Sequence, residues 1–268
     1  MSIRRFLRGG ALTPKRYNRR VKHLLRATAK AEARHFWFRG FRAFVTPLIE
    51  QAIGNRPDAR ILDCGCGTGA NLDLLGRYGR SYGFDLSDTG LQVGRDAGRR
   101  RLVRATVTAA PFHDEAFDLV TSFDVLYSLD EPDERAAVAE LFRLTRPGGY
   151  AIINVAAMSV LRGDHSILSH EVRRYSRGDL GRLVLDAGFT VVRLTYTNVT
   201  LLLPLAALRL AQRWRGLAPE AEAEREISVP REPINALLTG VLLLESLWIR
   251  RFDNPAGSSL VCLARKPA

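Results

Sequence analysis

The sequence predicts an α/β fold, a doubly wound and mostly parallel sheet, and three observations carry that reading. From residue 60 onward, short β-rich runs alternate with helical stretches of the length that crossovers need. The first run passes into a glycine-rich turn, Cys64-Gly-Cys-Gly-Thr-Gly69, before the next helical stretch begins. The composition, 46% hydrophobic and 25% charged over 268 residues, is that of a packed globular chain and excludes a disordered or collagen-like one.

The elements follow in order. Residues 60–63 read as the first strand, followed by the glycine turn and a helix over 70–78. Residues 81–85 form the second strand, and Ser87 caps a helix that reaches about Arg101. A short third strand covers 102–105. The fourth, Phe117–Phe123, is buried by its Leu, Val and Phe side chains. Pro132, in a favoured first-turn place, opens a helix to Thr145, which Pro147-Gly148-Gly149 closes before a fifth strand at 150–155. A polar connection, 158–175, then leads to a helix over 176–188, stopped by Gly188. A sixth strand follows at Thr190–Thr197 and a last one at Ser259–Arg265. Between those two lie apolar stretches at 201–210 and 234–249, joined by an acidic, alanine-rich link at 218–226. Both stretches read as too short to cross a bilayer, and Glu245 interrupts the second. They suit a cap over the sheet or a homodimer contact, with a hairpin resting on a membrane as the alternative.

The charge is uneven. The formal net charge is +12, and residues 1–31 hold ten bases and no acid. Tyr17, Val21, Leu24, Leu25 and Thr28 recur at helical spacing within this arm. It therefore reads first as a solvated helix packed on the body, then as a segment drawn to an anionic membrane surface, and last as a nucleic-acid arm. Three cysteines are too few for a disulfide scaffold and point to a reducing compartment. No secretory signal is evident, so the expected location is the cytoplasm, with peripheral contact at the inner membrane face left open. The expected organisation is a basic arm (1–31), a helical cover (32–58), a nucleotide-binding core (59–197), a helical insertion (198–257) and the last strand of the core (258–268).

The most informative segment is Ile61-Leu-Asp63-Cys-Gly65-Cys-Gly67-Thr-Gly69-Ala-Asn71. Glycines in a strand-to-helix turn let a ligand approach the backbone, and ligands of such sheets bind at the carboxyl ends of the strands. Asp63, two residues before the first glycine, would repel a pyrophosphate but attract a cation or an ammonium group, so a nicotinamide dehydrogenase fits poorly. Asp85, ending the second strand, suits a carboxylate that accepts hydrogen bonds from a ribose diol. Cys64 and Cys66 read as small buried turn residues, since two cysteines one apart do not build a zinc site.

This constellation resembles motif I of class I S-adenosylmethionine-dependent methyltransferases. Ala110-Pro-Phe112 followed by Phe117-Asp-Leu-Val120 is similar to the "LPF…FD.V" stretch of the ubiquinone/menaquinone-type members, the methyltransferase type 11 branch. Leu144-Thr-Arg-Pro-Gly-Gly149 is similar to their "LKPGG" turn. The resemblance covers roughly residues 60–155. The segments Glu32-Ala-Arg-His-Phe-Trp-Phe-Arg39 and His170-Glu-Val-Arg-Arg-Tyr-Ser176 resemble flanks seen in a bacterial branch of these enzymes. It implies a Rossmann-like seven-stranded sheet whose last strand is antiparallel and slots between the fifth and sixth, with S-adenosylmethionine as cofactor. By position, Gly65, Gly67 and Gly69, with Cys66 among them, would line the methionine part beside Asp63. Asp85 would hold the ribose, Leu86 would pack on adenine, and Phe123 would begin the segment under the methyl donor. Thr106, next to Val107, stands where relatives often carry an acid beside the adenine amine; its hydroxyl can still accept a hydrogen bond.

Methyl transfer needs an aligned acceptor and, where the acceptor carries a proton, a base. The candidates are Tyr127, His165, His170, Arg173, Arg174 and Tyr175. A histidine is the natural proton acceptor near neutral pH, which makes His165 and His170, with Tyr127, the catalytic candidates. Arg173 and Arg174 suit a carboxylate or phosphate of the substrate, or else pair with Asp179 or Glu171. His35, Phe36, Trp37 and Phe38 read most simply as core, with closure over the cofactor as the alternative. The leading reading is methyl transfer to a small, partly apolar biosynthetic metabolite. Behind it stand a lipid-linked or phosphate-bearing substrate at the inner membrane face, and S-adenosylmethionine binding without methyl transfer. Nucleic-acid methylation comes last, because the bases concentrate in the arm rather than beside aromatic residues on the substrate side.

Overall fold

The computed structural model describes residues 31–162, 166, 171–215 and 229–268. The basic arm up to residue 30, the link at 218–226, His165 and His170 lie outside the described residues.

Seven strands form one sheet: β1 (Arg60–Cys64), β2 (Arg80–Asp85), β3 (Leu102–Arg104), β4 (Phe117–Phe123), β5 (Thr145–Ala156), β6 (Thr190–Thr197) and β7 (Ser259–Arg265). Their spatial order is β3-β2-β1-β4-β5-β7-β6. Strands β1 to β5 pair in parallel, and β7 runs antiparallel to both β5 and β6, between them, as the resemblance implied. The described residues form the helices α1 (Phe36–Ile53), α2 (Leu72–Leu75), α3 (Asp88–Asp96), α4 (Glu131–Leu144), α5 (Arg177–Asp186), α6 (Leu202–Arg215) and α7 (Glu232–Ile249).

Alternate residues of each strand serve opposite faces, and both faces are covered. Leu62, Val120 and Ile153 pack against Leu141 of α4 and Leu180 of α5. Their neighbours Ile61, Leu119 and Ile152 pack against Ile49 of α1, Leu75 of α2 and Leu91 of α3. Ser87 caps α3 as expected, Asp130 caps α4, and Ser176 with Asp179 forms a reciprocal capping box for α5.

Several expected boundaries move. The helix after β1 is the single turn α2 rather than 70–78, because Gly76 closes it: its N–H donates to the Leu72 carbonyl at 2.8 Å. The helix after β2 stops at Asp96, well before Arg101, where the chain turns through Ala97 and Gly98. Strand β3 ends at Arg104, and β5 begins at Thr145 rather than Tyr150. Thr145 already pairs with Phe117, and a register shift before Leu119 absorbs the Pro147-Gly148-Gly149 segment.

The insertion brings a larger correction. Helix α7 has 18 residues and, by length and composition alone, is long and apolar enough to cross a membrane, contrary to the sequence expectation. One side of it is fixed to the protein. It lies on α1 rather than on the sheet itself, with Leu242 against Gly40 and a small cluster of Phe44, Leu242 and Ile249 between the two helices. Glu245 is buried and accepts from Val199 N (2.9 Å), Thr200 N (3.0 Å), Thr200 Oγ1 (2.6 Å) and Asn254 Nδ2 (3.2 Å). The acid that seemed to interrupt an apolar helix therefore clamps it to the loop after β6. Replacing Glu245 with Ala strands these donors, and the expected loss is about 3 kcal/mol of stability, read as a lower urea midpoint at unchanged slope. An unchanged midpoint would remove the clamp from this account.

Candidate active site

The site is built at the carboxyl ends of β3, β2, β1 and β4, which lie side by side. After β1 the chain turns sharply. Gly65 N and Cys66 N both donate to the Phe84 carbonyl of β2 at 2.9 Å. Gly65 and Gly67 adopt φ of +78° and +57°, where side chains are disfavoured. A Cβ on Gly65 would lie 2.5 Å from Val125, so the turn fits against the end of β4 only without one. A Cβ on Gly67 would meet nothing within 4 Å and would project into open space above the turn.

One carboxylate braces this turn and a second lies beneath it. Asp85 Oδ2 accepts from Gly67 N at 2.8 Å and Oδ1 from Ser87 N at 2.7 Å. Each oxygen keeps a second lone pair for another donor. Burial pushes the Asp85 carboxyl up from its ordinary value, against the pull of those N–H groups. Asp63 is buried below, with Oδ1 accepting from Thr121 Oγ1 at 2.7 Å and Oδ2 lacking any partner among the described residues. Burial first, and the charge of Asp85 in addition, push its carboxyl up to about 7. Cys64 and Cys66 are buried free thiols of the turn, held well above their ordinary range by burial.

The other expected cofactor residues gather at the same edge. Leu86 is 60% exposed beside Asp85. Thr106, two residues past β3, bonds Thr108 Oγ1 at 3.0 Å, and Val107 rests on the core. Phe123, at the end of β4, packs edge-on against Phe41 of α1 with ring centres 5.0 Å apart. The segment before α1 also reaches the turn: Thr68 Oγ1 donates to Glu32 Oε2 at 2.9 Å. His35 is the buried cap of α1, accepting from Trp37 N at 3.1 Å, which agrees with a core role.

The substrate side differs more from expectation. Tyr127 is packed in the core, and its carbonyl accepts from Val172 N (2.8 Å) and Arg173 N (3.3 Å). Arg174 pairs with Glu171 through two bonds, at 2.7 and 2.9 Å, and donates to the Ala157 carbonyl at 3.1 Å. Arg173 meets Glu134 of α4 at 2.6 Å, and the Tyr175 hydroxyl donates to the same carboxylate. Thus one arginine pairs with an expected partner and the other with an acid that sequence reasoning missed. Asp179 serves the cap of α5 and its neighbour Arg182 instead.

Asp124 was missed altogether. It follows β4 directly, adopts a left-handed φ of +60°, and is exposed. Its Oδ1 accepts from Asn154 Nδ2 at 2.9 Å while its own N–H donates to the Asn154 carbonyl at 2.9 Å. Although the residue reaches solvent, the protein around the carboxyl desolvates it and pushes it up to about 7. Asn154 and then Arg174 pull it down, and Glu171 pushes it further up. The left-handed backbone and the shifted carboxyl at the head of a parallel sheet make Asp124 a candidate site residue. The only sequence cue was a carboxylate one residue past a buried strand.

Residues 62–153 match the methyltransferase domain family, type 11. The solved S-adenosylmethionine-dependent methyltransferase of Archaeoglobus fulgidus shares the fold, with a TM-score of 0.53 at 15% identity over 84% of this chain and 93% of that one. Residues 62–153 thus carry a methyltransferase-type domain, on a fold shared with an S-adenosylmethionine-dependent methyltransferase. A demethylmenaquinone methyltransferase of Renibacterium salmoninarum is 35% identical over 111 residues, 40% of this chain and 45% of that protein, so the chain spans less than half of that relative. A ubiquinone/menaquinone biosynthesis C-methyltransferase of Shewanella pealeana is 28% identical over 192 residues, 57% of this chain and 73% of its own. The 4+2 cyclase SpnF has the same fold, with a TM-score of 0.54 at 19% identity over 84% of this chain and 81% of its own.

The turn of the methyltransferase domain fits S-adenosylmethionine. The partnerless Asp63 Oδ2 suits a cationic ligand, and the space above Gly67 is space a side chain would fill. Asp85→Ala is expected to weaken S-adenosylmethionine binding by ~1–3 kcal/mol in calorimetry, the range for a hydrogen bond to a charged group. Asp63 should show itself through pH. Its folded carboxyl titrates near 7 against an ordinary 3.8, so ionising it costs the folded state between those values. Relative to Asp63→Asn, the wild type should lose stability as pH rises from about 4 to about 7, by at most about 1.4 kcal/mol per pH unit, and level off above. Parallel stability curves for the two proteins would contradict the burial of that charge.

Proposed function

We propose that the chain transfers a methyl group from S-adenosylmethionine to a small, partly apolar acceptor in biosynthesis. The observation that carries this reading is the convergence at one sheet edge of the open glycine turn, the Asp63 and Asp85 carboxylates, and exposed Asp124. S-adenosylmethionine supplies an electrophilic methyl carbon on a positively charged sulfur. Around it, Asp63 provides negative potential, and the backbone of Gly65, Cys66, Gly67 and Gly69 permits close approach. Asp85 holds the ribose hydroxyls, Leu86, Thr106 and Val107 flank the adenine, and Phe123 forms the floor. The names of the curated relatives support a quinone-type ring as the acceptor class.

On the acceptor side, Asp124 joins His165 and His170 as a receiver of the acceptor's proton. Asp124 Oδ2 is the oxygen not committed to Asn154. A lipid-linked or phosphate-bearing acceptor at the inner membrane face is the second reading. The outward Leu-rich faces of α6 and α7 favour it, whereas the carboxylate partners of Arg173 and Arg174 weaken the case for a phosphate grip. Cofactor binding with other chemistry is the third, since a cyclase shares the fold. The cytoplasm is the proposed location.

The test is incubation with methyl-labelled S-adenosylmethionine and a reduced, short-chain demethylmenaquinone-type probe, read by mass spectrometry. Labelled product is expected; donor binding without labelled product across quinols and other small phenols would leave only the binding reading. Asp124→Asn, His165→Ala and His170→Ala should each keep donor affinity. The variant lacking the true proton acceptor should lose about a hundredfold or more in turnover. Where Asp124 is that group, wild-type turnover rises with pH through about 7, as the carboxylate ionises, and Asp124→Asn abolishes that limb.

A further inference from the structure

Helices on the surface of a globular protein bury their apolar stripe and expose their polar one. Helix α7 does the reverse. Its inward side carries Asn235, Thr239, Leu242, Glu245, Ser246 and Ile249, all buried and mostly polar. Its outward side carries Ile234, Leu237, Leu243, Leu244, Leu247 and Trp248, all exposed, Leu244 to 68% and Trp248 to 54%. At 100° per residue these outward positions fill about half of the cylinder without a charge among them. Phe252, just past the helix, stacks on Trp248 with ring centres 4.5 Å apart and is itself exposed. Helix α6 repeats the pattern in part, with Arg209 and Gln212 buried while Leu203, Leu208, Leu210 and Trp214 are exposed.

An exposed apolar face of this extent marks a surface made for contact. We infer that the outward face of α7 is a docking surface for an anionic lipid bilayer, with the helix lying in the interface plane. The inward side excludes spanning. Asn235 accepts from Phe36 N at 2.9 Å and donates to the Arg34 carbonyl at 3.0 Å, and Glu245 is clamped near the other end, so the polar stripe is bonded to the protein along the helix. Charge selects the occupant. Arg231 flanks one end and Arg250 and Arg251 the other, all exposed, with Arg250 in a long 3.8 Å pair with Glu50, while nearby Glu232 is paired with Arg34 and Asp253 with Arg193. The chain adds ten bases and no acid in residues 1–30. A second copy of a chain with formal charge +12 is repelled by this surface; anionic headgroups are attracted. An aromatic pair beside leucines is also what an interfacial helix presents to the headgroup boundary.

The inference concerns where the protein stands rather than what it methylates, so its failure leaves the proposed function intact. The experiment is flotation of the full chain with phosphatidylcholine vesicles, with and without phosphatidylglycerol, at low and high salt. Wild type should float with the anionic vesicles, and less so at high salt. The double variant Leu244→Glu/Trp248→Glu should float at least roughly tenfold less while keeping its melting temperature and its affinity for S-adenosylmethionine. Flotation of the variant equal to wild type would assign binding to the basic residues alone and overturn the inference. So would failure of wild type to float, a wild-type dimer in sedimentation that the variant converts to monomer, or unfolding of the variant, which would show that the chain itself covers this face.

Discussion

The glycine-rich bend after β1 depends on one acid and overlies another. Asp85 draws Gly67 N and Ser87 N onto its two oxygens, which fixes the bend to the end of β2 and the start of α3 at once. Asp63 lies beneath it with one oxygen unsatisfied, at a cost in stability that nothing else in the described residues relieves. Natural chains keep such a group when a ligand gains from it. The left-handed glycines, the capped start of α3 and the tether from Glu32 to Thr68 then read as parts of one arrangement. Together they hold an open bend, with two carboxylates against it, at the head of the sheet.

Much of this was legible beforehand. Strands Phe117–Phe123, Thr190–Thr197 and Ser259–Arg265 match residue for residue, because strands packed on both faces or alternating strictly leave clear boundaries. The glycine turn with its two acids was legible for the same local reason: the spacing within one strand-turn-helix unit is set by the chain itself. What escaped depended on partners distant in sequence. Glu134 meets Arg173 across 39 positions, and no local pattern announces that pair. Asp124 looks like any residue after a strand until the hydrogen bonds from β5 and its positive φ are known. The length of α7 was misjudged because Glu245 reads as a charge in an apolar run, whereas four donors from elsewhere in the fold receive it.

The two halves of the proposed site are held differently. The cofactor side rests on backbone N–H groups and glycines, which tolerate little change in geometry. The acceptor side rests on side-chain pairs, Arg173 with Glu134 and Arg174 with Glu171, that link the strap after β5 to α4 and to itself. Side-chain pairs of this kind can be exchanged for others without rebuilding the sheet. That difference gives a physical basis for one domain type serving many acceptors, and for the sequence resemblance ending near residue 155.

The position of β7 has a consequence for biosynthesis of the molecule itself. It follows every other strand of the sheet in chain order, yet it sits between β5 and β6 and pairs with both along its length. Until those residues emerge, β6 and α5 have no ladder joining them to the nascent sheet, and two apolar strand edges face each other across a gap. The final contacts are of long sequence separation and therefore slow to form. During that interval the unfinished sheet is a client for holding factors, and the arrival of β7 is the event that zips the architecture shut.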